Sequence, residues 1–300
     1  MPTTTGHLPV DGHRVWWKRI DPPVGTPAAS ATPILLMHGG PGAGHDYLEP
    51  LEGLAADRPV IFWDQLGCGR SDQPDDLSLW TIARFRHEVD VVRAGLGLDR
   101  IHLLGQSWGG WLGIEYMVHE PLGIVGLVLA STSASIPQFV AEAEKLKAQL
   151  PAEMYATMQR CEAAGLYRDP AYEAAVMEFY RRHLCRLDPW PDCLARSAAN
   201  LEGNAVYATI NGPNEFVVTG ELKDWDRIAD LGRITCPTLV TVGGYDELPV
   251  VCSETIRDGV SGPAELVVFA RSGHCAHIEE PERYLEVVRS FLRRVDGLPG

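Results

Sequence analysis

The chain has no run of about 18 to 20 apolar residues, the length needed to cross a bilayer, so a membrane-spanning helix is not expected. Its first residues, Met1-Pro2-Thr3-Thr4-Thr5-Gly6-His7, lack the basic and apolar regions of a secretory leader. It also lacks positive charge. With 26 Lys and Arg against 40 Asp and Glu, the formal charge of −14 argues against nucleic acid and against anionic membranes as partners. That balance is compatible with a cationic substrate without requiring one. No C-x-x-C pair and no H-E-x-x-H motif occurs, and the seven cysteines (68, 161, 185, 193, 236, 252, 275) are odd in number and scattered. That set reads as reduced thiols in a cytoplasmic protein, with no disulfide framework, metal or cofactor expected. Internal repeats and low-complexity tracts are also missing. What remains, 45% hydrophobic and 22% charged, is the composition of an ordinary globular protein.

The chain is organised around Gly105-Gln106-Ser107-Trp108-Gly109-Gly110. A short apolar run, Ile101-His102-Leu103-Leu104, precedes it and a helical pattern, Trp111 to Val118, follows. Strand, tight turn, helix is the context that makes G-x-S-x-G a nucleophile elbow. Glycine is needed on both sides because the strand and helix backbones crowd there. The turn also sets Ser107 at a helix N-terminus, where free N–H groups favour developing negative charge.

Around the elbow, strands and helices alternate. His13–Ile20 reads as an early strand. Pro33–Met37, Val60–Trp63 and Ile124–Leu129 are continuous apolar runs, as expected of strands buried on both faces of a parallel sheet. Helices are expected over Asp46–Ala56 and Thr81–Leu96. From about Ser131 to Asp224 the pattern turns helical (138–150, 170–184, 191–199), with no convincing strand. Alternation resumes with Pro237–Val242, a helix near 250–258, Leu266–Phe269 and a last helix 281–295. The expected fold class is α/β: a mostly parallel, doubly wound sheet with an inserted α-helical cap. Residues 1–133 and 225–300 would form the core, and 134–224 the cap.

A serine hydroxyl needs a base, and the base needs an orienting group. The strand ending at Val242 runs into Gly243-Gly244-Tyr245-Asp246-Glu247, and the one ending at Phe269 into Ala270-Arg271-Ser272-Gly273-His274. Both lie at the C-terminal ends of strands, where open α/β sheets place their sites. Asp246 and His274 are therefore expected to complete a triad with Ser107; His277 is the rival base. An oxyanion hole needs backbone N–H groups. Trp108 should supply one and Gly39 or Gly40, in His38-Gly39-Gly40-Pro41-Gly42, the other. His38 reads as a structural hydrogen-bonding residue.

With His38–Gly42, Asp64-Gln65-x-Gly67-Cys68-Gly69-Arg70-Ser71 and the elbow together, the chain resembles the proline iminopeptidase family of α/β-hydrolases. Asn211-Gly212-Pro213-Asn214-Glu215-Phe216, Lys223-Asp224-Trp225-Asp226 and Gly244-Tyr245-Asp246-Glu247 look most like the tricorn-interacting aminopeptidase branch. The likeness runs from about residue 13 to 295. It implies a serine exo-aminopeptidase that releases an N-terminal residue, proline or another apolar one, from short peptides, amides or arylamides. It further implies that Glu215 and Glu247 bind the substrate's α-ammonium, which in a capped pocket needs opposed charge. Trp108, Trp111, Tyr207 and Phe216 are candidate walls for the first side chain, with core packing the alternative for each. Leu66 stands where many relatives carry arginine, which loosens a proline-only expectation. Two alternatives stay open: a small-molecule amidase, esterase or acyl-transferring enzyme with the same triad, and a catalytically silent binding module. Epoxide hydrolase or dehalogenase chemistry would need an aspartate at the elbow.

Overall fold

The computed structural model describes residues 1–297. Strands β1 (Thr3–Val10) and β2 (His13–Ile20) form a hairpin about Asp11-Gly12, whose φ values of 51° and 82° are those a tight hairpin turn requires. β1 was not expected from the sequence; its exposed Thr3-Thr4-Thr5 start carries little apolar alternation. β3 (Ile34–Met37) and β4 (Val60–Trp63) are buried throughout, as their unbroken apolar runs suggested. Between them, Asp46–Ala56 is a 3-10 helix, not an α-helix, with Pro50 inside it.

Helix α1 (Ile82–Gly95) starts at a Thr81 cap. β5 (Ile101–Gln106), α2 (Trp108–Met117) and β6 (Ile124–Ala130) build the centre. Five helices then follow without a strand: α3 (Ile136–Lys147), α4 (Ala152–Ala164), α5 (Pro170–His183), α6 (Asp192–Leu201) and α7 (Ala205–Ile210). Of these, α4 and α7 were not foreseen. The sheet resumes with β7 (Thr238–Gly243), α8 (Val250–Gly259) and β8 (Ala264–Phe269). The short α9 (Ala276–Glu279) and the long α10 (Pro281–Val295) close the chain.

All eight strands make one sheet in the order β1-β2-β4-β3-β5-β6-β7-β8, parallel from β4 to β8 and antiparallel at β1/β2 and β2/β4. Its two faces bury separate apolar clusters, one under α1 and α2 and one under α10. The five-helix insert has a smaller core of its own around Met158, Tyr172 and Phe179. One ionic contact docks it and a second lies just past its C-terminal end. Arg196 on α6 pairs with Asp46 and Glu49, and Glu115 on α2 accepts from Trp225 Nε1 (3.0 Å) and Arg227 Nε (2.7 Å) just beyond the insert. All seven cysteines are free. Among the described residues no helix is long and apolar enough to cross a membrane.

Candidate active site

Ser107 sits between β5 and α2 with φ 57° and ψ −123°, a conformation that non-glycine residues rarely adopt. The glycines around it are enforced by contact. A Cβ on Gly105 would lie 2.1 Å from Gly109 O, and one on Gly109 would lie 2.1 Å from Met37 O. Thr132 Oγ1 donates to Ser107 O at 2.9 Å, and Gly110 N–H does so at 2.8 Å, fixing the turn.

Asp246 and His274 meet as expected. They lie just past β7 and β8, and His274 Nδ1 donates to Asp246 Oδ1 at 2.8 Å. Asp246 also accepts from Leu248 N (2.9 Å) and Gly243 N (3.4 Å), so the carboxylate is locked on three sides. The rival His277 is committed elsewhere. Its Nε2 donates to Tyr47 O at 3.0 Å, and burial pushes its pKa down to about 4, so it stays neutral. His38 is structural: Nδ1 donates to Gly39 O (2.9 Å) and Nε2 accepts from Gln65 N (3.0 Å).

One expectation narrows. Gly39 N–H donates to Tyr47 Oη at 2.7 Å, so it is not free to face an oxyanion. Among the described residues the N–H groups of Gly40 and Trp108 have no protein partner. Gly40, at φ 108°, lines the same cavity as Ser107. Gly39 instead makes room: a Cβ there would fall 2.9 Å from Ser107 Cβ. Tyr47 and Gln106, which the motifs did not single out, tie this corner together. Tyr47 Oη donates to Gln106 Oε1, and Gln106 Nε2 donates to His274 O at 3.2 Å.

The cavity over Ser107 has a volume of about 1160 Å³ and is roofed by residues of the insert. Glu215 and Glu247 both line it, from opposite sides of the sheet–insert boundary. Glu215 lies in the turn after α7, where Asn214 Oδ1 accepts from Phe216 N (2.9 Å) and Val217 N (3.0 Å). Tyr207 Oη donates to Glu215 Oε1 at 2.8 Å. Glu247 is 3% exposed, and its Oε2 has no protein partner. Burial pushes both carboxyls up, Glu247 to about 8, where the Glu215 and Asp246 charges add to the burial.

Tyr207 is a cavity wall, whereas Phe216 is not. Phe216 packs edge-on against Phe179 (centroids 4.8 Å apart) in the core of the insert. The Trp108 and Trp111 rings also turn inward, their Nε1 groups donating to Gln65 Oε1 (2.8 Å) and Ser133 Oγ (3.1 Å). Leu66 is fully buried and does not reach the cavity. The nearest approach to a metal-ligand cluster among the described residues is His45, Asp46 and Glu49, where the Arg196 guanidinium already takes up both carboxylates.

Residues 32–281 match the family model of the alpha/beta hydrolase fold. A proline iminopeptidase of Saccharolobus solfataricus is 40% identical over 88% of this chain and 86% of its own length. Among solved structures, proline iminopeptidase of Mycobacterium smegmatis superposes with a TM-score of 0.91 at 40% identity, covering 98% of this chain and 99% of that one. VinJ superposes with a TM-score of 0.92 at 36% identity, covering 98% and 100%.

Proposed function

Because the chain belongs to the proline iminopeptidase family of the α/β-hydrolase fold, we propose that it is a serine exo-aminopeptidase acting through an acyl-enzyme on Ser107. The observation that carries the reading is the pair of carboxylates, Glu215 and Glu247, lining the chamber that also holds Ser107 and His274. A substrate's α-ammonium set between them would find opposed charge in a site where an uncharged N-acyl group would find only buried carboxylates.

The chemistry follows from the elbow. His274 Nε2 takes the Ser107 Oγ proton as Oγ attacks the carbonyl carbon of the first residue. The oxyanion is received by the N–H groups of Gly40 and Trp108 at the start of α2. Asp246 keeps Nδ1 protonated and stabilises the imidazolium. His274 then hands its proton to the departing amine, and water hydrolyses the aminoacyl ester by the same steps in reverse roles. Residues 134–224 act as the cap, admitting only a chain terminus. The free thiols support a reducing compartment, the cytoplasm.

A second reading, a small-molecule amidase, esterase or acyl-transferring enzyme with the same triad, draws support from the cavity: about 1160 Å³ is more than one amino-acid side chain fills. The test is covalent labelling by an α-aminoalkyl phosphonate diester and its N-acetylated twin, read by mass spectrometry. Exo-aminopeptidase chemistry requires faster labelling by the free amine, with the label on Ser107 and none in Ser107→Ala. Equal labelling by both reagents favours the second reading, and no label on Ser107 overturns the acyl-enzyme.

A further inference from the structure

The chamber brings an excess of carboxylate around one imidazole. His274 Nδ1 is held by Asp246 at 2.8 Å. Its other nitrogen, the one that must accept the serine proton, lies 3.7 Å from Glu247 Oε1. Among the described residues no hydrogen bond joins it to Ser107 Oγ. The imidazole thus stands between neighbouring carboxylates of one loop, with Glu215 facing it from the insert.

Among the described residues the other cation lining the chamber is Arg168, which is exposed to solvent with its Nη1 3.8 Å from Glu173 Oε1. The remaining titratable groups around the cluster are Tyr180 and Tyr207 from the insert, Cys275 beside the histidine, and His183 and His277. Burial pushes the two phenols and the thiol up and the two histidines down, so all five are neutral near pH 7. Charge balance at Glu215 and Glu247 therefore comes from a proton on one of these carboxyls, which burial favours, from the His274 imidazolium 3.7 Å from Glu247, which pulls Glu247 the other way, or from something that enters the chamber.

We propose that Glu247 couples amine recognition to catalysis: in the empty enzyme it holds His274 in its protonated form and withholds the base from Ser107, and a substrate ammonium that takes over Glu247 and Glu215 releases it. The proposal rests on the reading of these glutamates as amine receptors and adds that they govern turnover as well as binding. The balance is simple. One ammonium enters, His274 gives its Nε2 proton to solvent, and the chamber's net charge is unchanged. The freed Nε2 lone pair then accepts the Ser107 Oγ proton. The shifts run the required way: burial works against the imidazolium, but Asp246, Glu247 and Glu215 outweigh it and push His274 up to about 9. Blocked peptides and plain esters would then meet a protonated base even when they fit, and discrimination against them would appear in kcat as well as in KM.

The experiment follows acylation of Ser107 by a p-nitrophenyl ester without an amine, as a function of pH. It is run on the wild type, on the wild type with propylammonium, and on Glu247→Gln. The ascending limb of the wild type is expected well above pH 7. Removing the Glu247 charge should lower it by about one to two pH units, making the variant roughly 10- to 50-fold faster on the ester at pH 7. The same variant should be slower on an alanine arylamide. Propylammonium should inhibit arylamide hydrolysis by the wild type while accelerating ester acylation, a pairing that simple competition cannot produce. An unmoved limb in Glu247→Gln together with lost arylamide turnover overturns the coupling and leaves amine recognition standing. Arylamide turnover unchanged in Glu247→Gln, or untouched by propylammonium, removes the recognition on which the coupling depends. Should the variant fail to fold, the wild-type amine titration decides alone: inhibition of both reactions overturns the coupling.

Discussion

Replacing Glu215 with glutamine removes one negative charge and almost nothing else. The turn that carries it is held by Asn214 Oδ1, which accepts from Phe216 N and Val217 N, and by Asn211 Nδ2, which donates to Asn214 O at 2.9 Å. None of these bonds uses the Glu215 side chain. Its one protein partner, Tyr207 Oη at 2.8 Å, can donate equally to an amide oxygen. The loss is therefore a charge-assisted hydrogen bond to the substrate ammonium, worth about 1.5–3 kcal/mol. At 1.36 kcal/mol per factor of ten this is roughly a 10- to 150-fold fall in kcat/KM for a free-amine substrate. Desolvation of the ammonium without its second counter-charge pushes the loss toward the upper end. The assay is initial-rate hydrolysis of alanine arylamide and N-acetylalanine arylamide, with thermal melts of both proteins confirming the same fold. The fall should be confined to the free amine, with the acetylated substrate unchanged or somewhat faster, because His274 loses one of the charges that hold it protonated. Equal losses on both substrates, at equal melting temperature, would refute the assignment of Glu215 to the amine.

Two further perturbations reach the site and the fold from outside the catalytic groups. Tyr172 Oη accepts from Asn214 Nδ2 at 2.8 Å, so Tyr172→Phe should loosen the Glu215 turn and cost about 3- to 10-fold in kcat/KM, mostly in KM, for free amines. An equal effect on an ester would assign Tyr172 a general structural role instead. Asp296 Oδ2 accepts from the buried Arg58 Nη1 at 2.7 Å, and Oδ1 is bonded to His102 Nε2 at 3.1 Å. Burial raises the Asp296 carboxyl, but these partners outweigh it and hold it at about 2, against 3.8 unperturbed. A depressed folded pKa means that the stabilisation is complete above about pH 4 and fades as pH falls toward 2. Asp296→Asn should cost about 3–5 kcal/mol at pH 7, because it strands the Arg58 charge, and visibly less at pH 3. A urea-unfolding difference that is flat across that range would contradict the ion pair.

The parts of the molecule that could be read from residues alone were those with a steric or periodic signature. Continuous apolar runs marked β3 to β6, because strands buried on both faces have no polar side to show. The elbow was legible because Gly105 and Gly109 have no room for a Cβ. Asp246 and His274 followed from their positions just past strands. Helix α4 was missed because it buries little beyond Met158 and Cys161, and α7 because six residues carry no period. The HGGPG loop cannot say which glycine N–H stays free; Tyr47, eight residues on from Gly39, decides it by taking that N–H. An aromatic residue in a cap does not reveal which way it faces, so Phe216 was expected at the cavity and lies in the core of the insert, while Tyr207 lines the chamber. Glu215 and Glu247 had no spacing signal, being on different elements far apart in the chain. Their pairing came only from the family resemblance, and the cavity they share supports it.

The most direct measurement is a release assay on matched substrates: proline, alanine, leucine and phenylalanine arylamides, the N-acetyl form of each, and a p-nitrophenyl ester. Rapid release from the free-amine arylamides with little turnover of their acetylated forms is the result required of an exo-aminopeptidase, and the order among the four residues then sets how narrowly it favours proline. Equal cleavage of blocked substrates, or activity on the ester alone, would contradict it.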